Sequence, residues 1–317
     1  MYTLQQTINF SQPFIEYSPL TVGTNFEPAI SIASMVRNTI LNAPMFWPWN
    51  RAEYLISSGT PPNLVAGQQD YVFNIPDFAY LEKVSLFYAD GSKAVELKDV
   101  YNTNILGVGI AQAEPNAAAI KYYTPGSTIA VRFLSVPEQA YTGVLTYQKL
   151  SVPFQVFSLE AVEVISGVAY YLFSNLQNFP TNFFQGQLIQ VQGFNNAVNN
   201  GTFVCLSSTN TYLVLANPAA ITETNLLATA INISWFPIPD SYMDIFNNLF
   251  LAEAMALVDD SREQTYRQRG IAALLSKAEG LTQMQVNAFL AQYMTRGTLA
   301  QIAGQTRVQQ GLQARGI

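Results

Sequence analysis

Hydrophobic positions change period along this chain, and the changes divide it. Between Glu27 and Leu41 apolar residues recur at helical spacing: Ile32, Val36 and Ile40, with Ala29, Ala33 and Leu41 beside them. Thr24 or Asn25 can cap this helix, Glu27 sits at the positive end of its dipole, and Pro28 suits the first turn. Asn42 to Pro44 stop it. One amphipathic helix cannot bury its apolar face alone, so a partner is expected elsewhere in the chain.

From residue 54 to 150 the pattern shortens to β-type runs. YVFNIP, LEKVSLFY, TIAVRFL and GVLTYQKL are bounded by AGQQD, ADGSK, TPGS and VPEQAY. Asp90-Gly91 predicts a hairpin between LEKVSLFY and KAVEL. Residues 151–236 form a second β block of different texture, with the runs VEVISGVAYYLF, QLIQVQGF, GTFVCLSS and TYLVLANP and a turn at Asn199-Asn200-Gly201. No lysine or arginine lies between Ser151 and Ser261, and Glu160, Glu163 and Glu223 are the only acids of that stretch before Asp240. An outer face so uniformly uncharged predicts a small β-sandwich or barrel module, separate from the first.

After WFPIPD the strand pattern gives way to helices. Asp240 can cap one with an inner face of Ile245, Leu249, Ala252 and Ala256. Ser261 with Gln264 forms a capping box for a second, which Gly280 ends. Thr282 with Gln285 opens a third, running through Val286, Phe289, Leu290 and Tyr293 to Arg296-Gly297. The expected fold is therefore α+β. Residues 1–53 carry an N-terminal segment and helix, 54–150 an antiparallel β domain, and 151–236 the second β module. Residues 237–296 supply helices that complete a bundle with the first one, and 297–317 form an extended arm. The β material is inserted into the bundle. PMFWPWNR, at 44–51, stands where the chain leaves it. Trp47, Pro48, Trp49 and Arg51 are expected to wedge that junction rather than form a ligand platform.

Composition narrows the function. Charged residues make up only 11% of the 317 residues, against about 25% in ordinary domains. A surface so poor in charge favours association, as in a subunit of an assembly. There is no histidine, which removes the commonest general base and metal ligand together. Cys205 stands alone in a strand-like run and is read as a buried small hydrophobe. Asp259, Asp260 and Glu263 read as a helix-capping turn rather than a metal site, and GVGIA at 107–111 lacks the rest of a phosphate loop. Neither catalytic residues nor cofactor or metal ligands are expected.

Tyr170, Tyr171, Phe173, Phe179, Phe183 and Phe184 could stack on sugars, but core and subunit contacts explain them as well. Arg262, Arg267 and Arg269 share a helix and could face phosphate, but a solvated helix flank or pairing with a neighbouring subunit's carboxylates explains them as well. The opening residues lack a signal peptide, the apolar runs are too short to span a bilayer, and the sequons at Asn9, Asn200 and Asn232 carry little weight without secretion. A soluble, cytoplasmically made protein is expected. Charge is also divided. Eight basic and nineteen acidic residues precede residue 262, a net of −11, while seven basic and two acidic residues follow, a net of +5, together making −6. A basic tail on an acidic body reads as an arm that docks on an acidic partner or passes near nucleic acid.

The helix ending in WPWNR, the stretches GQQDYVFNIPDFAYLEKVSLF and PEQAYTGVLTYQKL, and the closing IPDSYMDIF…AEAMALVDDSREQTYRQRGIAALLSKAEGLT resemble tailed-phage head-to-tail connector adaptors, the tail tubular protein A group among them. The resemblance covers roughly 25–150 and 238–295. GQLIQVQGFNNAVNNGTFVCLSSTNTYLVL is similar to an Ig-like β module scattered through phage structural proteins. The resemblance implies a non-enzymatic virion protein at the head–tail junction. It would form a ring with copies of itself, usually dodecameric, under the portal protein. Its β domain would meet the next tail component, and packaged DNA would pass through its channel. It also implies a portal-docking arm from Gly297 to Ile317, following Arg296 and carrying Arg307 and Arg315. A tail-tip, fibre or baseplate subunit, or a virion protein binding carbohydrate through 151–236, are the rival readings.

Overall fold

The structure is a computed structural model that describes residues 1–15, 27–42, 45–56, 64–98, 111–124, 128–278 and 281–293. Thr24, Asn25, Pro44, most of GVGIA, Gly280, Arg296 and the whole arm with Arg307, Arg315 and Ile317 lie outside the described residues. The class is α+β. Two compact units divide the chain: Met1–Gln5 with Trp47–Asp240, and Gln6–Phe46 with Ser241–Ile317.

Two helices come first, α1 (Leu4–Ser11) and α2 (Ala29–Leu41). Nothing in the periodicity of the first residues announced α1. In α2, Ala29, Ile32, Ala33, Val36, Ile40 and Leu41 are all buried, as their spacing predicted. Pro28 holds the N-cap position, and Glu27 accepts hydrogen bonds from the Ser31 backbone N–H (3.4 Å) and hydroxyl (3.0 Å). Arg37 lies on the same buried face, and burial draws its pKa down to about 9.

Strands β1 (Arg51–Leu55), β2 (Asp70–Asn74), β3 (Phe78–Phe87), β4 (Lys93–Lys98), β5 (Gln112–Ala113), β6 (Ala117–Thr124), β7 (Thr128–Leu134), β8 (Val136–Pro137) and β9 (Thr142–Lys149) follow. They make a four-stranded sheet, β1-β9-β3-β4, and a three-stranded sheet, β2-β7-β6, with a short parallel β5-β8 pair. Alternate residues of both sheets point into one core: Val84, Leu86, Leu145 and Tyr147 from the first, Tyr71, Phe73, Ile129, Val131 and Phe133 from the second. The Asp90-Gly91 turn joins β3 to β4 as expected, with Gly91 at φ +81° and Asp90 Oδ1 accepting the Ser92 N–H at 2.9 Å. The first strand starts before residue 54, and β6, poor in β-branched residues, was not anticipated.

The second β block contains β10 (Val156–Ile165), β11 (Val168–Phe173), β12 (Leu188–Gln192), β13 (Gly201–Ser208), β14 (Tyr212–Leu215) and β15 (Glu223–Asn232). They close into a barrel in the order β10-β11-β14-β13-β12-β15, a Greek-key path in which β14 returns beside β11. VEVISGVAYYLF is a hairpin and not one run. Ser166 (φ +52°) and Gly167 (φ +79°) are both left-handed, which matches the twist of the flanking strands in a two-residue turn. Entry and exit are tied by Asn232, which donates to the Pro153 carbonyl (2.8 Å) and accepts the Gln155 N–H (2.8 Å).

Helices α3 (Met243–Ala256), α4 (Glu263–Lys277) and α5 (Gln283–Tyr293) end the described chain. Helix α3 packs on α4 and also on α2. Asp240 does not cap α3. Its carboxylate accepts the Tyr2 N–H at 2.7 Å and pairs with the Met1 amino group at 3.1 Å, so Pro237–Asp240 belongs with the β unit. Ala256 is exposed, whereas Ile245, Leu249 and Ala252 are buried with Phe246, Phe250, Leu251, Ala254 and Met255. At α4, Arg262 takes the cap position without a side-chain cap. Asp260, rather than Ser261, accepts a backbone N–H there, that of Arg262 at 2.9 Å. The Thr282–Gln285 box is present in full: Gln285 Oε1 accepts the Thr282 N–H at 2.9 Å, and Thr282 Oγ1 accepts the Gln285 N–H at 3.3 Å. No described helix is long and apolar enough to cross a membrane.

Candidate functional site

The two tryptophans of PMFWPWNR occupy different environments. Pro48–Asn50 form a 3₁₀ turn, and the rings of Trp47 and Trp49 stack with centroids 5.6 Å apart and 15° between planes. Trp47 is 1% exposed, and its backbone N–H donates to Gln148 Oε1 at 3.2 Å. Gln148, itself fully buried on β9, donates through Nε2 to Glu82 at 3.3 Å. Glu82 in turn receives both Nε and Nη2 of Arg51, at 2.8 and 2.5 Å. A buried amide left without partners costs about 1–3 kcal/mol, so this chain of bonds fixes the register of the turn against the sheet. Asn50 reinforces it by donating to the Lys149 carbonyl at 3.0 Å. Pro48 is exposed.

Trp49, half-buried, forms part of the wall of a cleft of about 720 Å³. Pro76, Asp77, Lys149 and Leu150 come from turns and strand ends of the sandwich, residues 180–183 and 185–187 from the loop before β12, and Phe236-Pro237 from the segment after the barrel. Each flanking segment is held. Asp77 accepts the Tyr147 hydroxyl at 2.8 Å, and burial with that bond pushes the phenol's pKa up. Asn182, at φ +62°, donates its N–H to the Ser208 carbonyl at 2.7 Å. Gln187 Nε2 donates to the Phe236 carbonyl at 2.8 Å. Gly186, at φ +83°, meets the far end of the Phe236 ring, where a Cβ would come within 3.1 Å of Cζ. The lining combines three aromatic side chains, Trp49, Phe183 and Phe236, with polar groups of which the two charged ones, Asp77 and Lys149, cancel.

The other expected site residues fall elsewhere. Arg262 pairs with Asp260 through Nε and Nη2, and donates to the Phe14 carbonyl at 3.0 Å. Arg267 bridges Glu263 (2.7 Å) and Glu253 (2.5 Å). Burial pulls its pKa down, but these carboxylates outweigh that and raise it. Arg269 lies 5.4 Å above the Tyr266 ring. Arg262 and Arg267 thus direct guanidinium N–H groups at acceptors of their own chain. Tyr171, Phe173 and Phe184 do not form a sugar-stacking face, because they are barrel core together with Phe157. Cys205 is buried in that core, and burial pushes its thiol up to about 12.

Gln148, Asp77, Lys149 and Phe236 escaped the sequence because no motif links them. Only the aromatic-proline texture of WFPIPD, parallel to that of PMFWPWNR, could have hinted at the cleft. No family model and no curated protein matches this chain.

Proposed function

We propose that this chain is a non-enzymatic virion structural protein, a ring-forming head-to-tail adaptor that joins the portal to the tail and lines the DNA exit channel. One observation carries the reading: the chain leaves a helical unit at Phe46, runs through the strands of the β unit, and returns at Ser241 to the helical unit it left. This agrees with the helix–β–helix plan that the sequence resemblance implies, although Met1–Gln5 belongs to the β unit. The packing of α3 on both α2 and α4 agrees with such a bundle. Low charge density agrees with a subunit that buries much of its surface against copies of itself. In this reading the arm after Arg296, with Arg307, Arg315 and Ile317, docks on portal carboxylates. The β domain faces the next tail component, and DNA passes without sequence recognition.

The test is the mass in solution of the full chain and of a chain truncated after Arg296, each with and without the portal protein. A large ring formed with the portal by the full chain, and lost on truncation, is the expected result. A stable trimer indifferent to both truncation and portal would overturn the adaptor reading in favour of a fibre or baseplate subunit.

A further inference from the structure

We propose that the cleft beside Trp49 is a binding site for a neutral oligosaccharide. Trp49, Phe183 and Phe236 would stack on the sugar rings, while Asp77, Lys149 and Gln185 would reach their hydroxyls. A volume of about 720 Å³ falls within the roughly 300–1,000 Å³ of small-ligand sites. Three aromatic side chains from three distant segments line it, and none is loose. Trp49 is backed by buried Trp47, and Phe183 lies 20° from parallel with Phe179 at 6.1 Å. The far end of the Phe236 ring meets Gly186, and the Phe236 carbonyl is held by Gln187. Aromatic rings already fixed before binding lose little freedom when a ligand arrives, which is how preorganised sites gain affinity.

The polar lining selects among ligands. Asp77 and Lys149 leave the cleft with no net charge, and no lysine or arginine occurs from Ser151 to Ser261. Nucleic acid, which needs several cations along its backbone, does not suit such a wall. The wall consists of turns and strand ends, so it offers no open strand edge for an extended peptide to join. A sugar ring has an apolar C–H face and a rim of hydroxyls that both donate and accept, which matches aromatic side chains combined with amide, carboxylate and ammonium. The side chains of exposed Thr181 and Gln185 make no hydrogen bond among the described residues, so their donors and acceptors are open to it.

The experiment is titration of the full chain by calorimetry and tryptophan fluorescence with maltotetraose, cellotetraose, laminaritetraose and tetra-N-acetylchitotetraose, in parallel with a proline-rich peptide. At least one sugar should bind and change the tryptophan emission. Phe236→Ala should weaken it roughly tenfold or more, a tenfold change being about 1.4 kcal/mol. Gln185→Ala, at an exposed side chain, should weaken it about threefold with melting unchanged; this second variant keeps the test open if the first disturbs folding. Binding by none of the sugars, binding of the peptide alone, or sugar binding unaltered in both folded variants would overturn the proposal. Ring formation with the portal should be the same in both variants, so this site and the adaptor reading stand or fall separately.

Discussion

Trp47 and Trp49 show how far two like residues can diverge over two positions. Trp47 is a buried plug whose backbone is tied to Gln148, while Trp49 stacks on it and lines a cleft. Truncating a buried aromatic costs about 3–5 kcal/mol, so Trp47→Ala should lower the melting temperature by several degrees. Trp49→Ala should lower it less, and equal shifts in a thermal melt would contradict the division. Asp70 makes a second prediction at this scale. It holds Arg132 in a two-point pair (2.6 and 2.7 Å) with Lys121 at 2.8 Å, and the Arg132 bonds lower its pKa from 3.8 to about 2. A depressed carboxylate contributes stability above its unfolded pKa and loses it as pH falls through the folded one. Wild type should therefore resist urea better than Asp70→Asn at pH 6, and the gap should close as pH falls from about 4 towards 2. A gap that stayed constant would mean the pair is not the source.

At the scale of elements, close approach outweighs propensity where α4 meets α3. Gly270, mid-helix, should by propensity alone gain about 1 kcal/mol on substitution by alanine. Yet a Cβ there would stand 2.6 and 2.7 Å from Leu249 Cδ2 and Cγ, with the Leu249 backbone N at 3.2 Å. Overpacking of this kind costs roughly 1–3 kcal/mol, so Gly270→Ala should destabilise, by a lower urea midpoint. A raised midpoint would show that Leu249 can swing clear. The barrel's Gly193 serves a similar end: at φ +96° it lies where a Cβ would come within 2.9 Å of the Leu227 carbonyl, beside the irregular pairing of β15 with β10.

For the whole molecule, the barrel shares one compact unit with the sandwich yet has a core cluster of its own. Its core, from Phe157 to Ala230, draws on its own strands and loops, and its entry and exit are pinned side by side by Asn232. Residues 152–234 expressed alone should fold and melt cooperatively, as followed by near-ultraviolet circular dichroism. A chain lacking near-ultraviolet signal would show that the barrel depends on its surroundings.

What the sequence determined by itself was local. The face of α2, the Asp90-Gly91 hairpin and the Thr282–Gln285 box all depend on residues within a few positions of one another, where period and turn chemistry act directly. The α+β order could be read for the same reason. The tertiary structure alone decided what depends on distant partners. Asp240 abandons a local cap for the Tyr2 N–H, 238 positions away, and Trp47 finds Gln148 across 101. The barrel's strand order and the cleft, assembled from segments near 49, 77, 149, 183 and 236, obey no sequence period. Periodicity says which face of an element is buried, but not which other element will bury it.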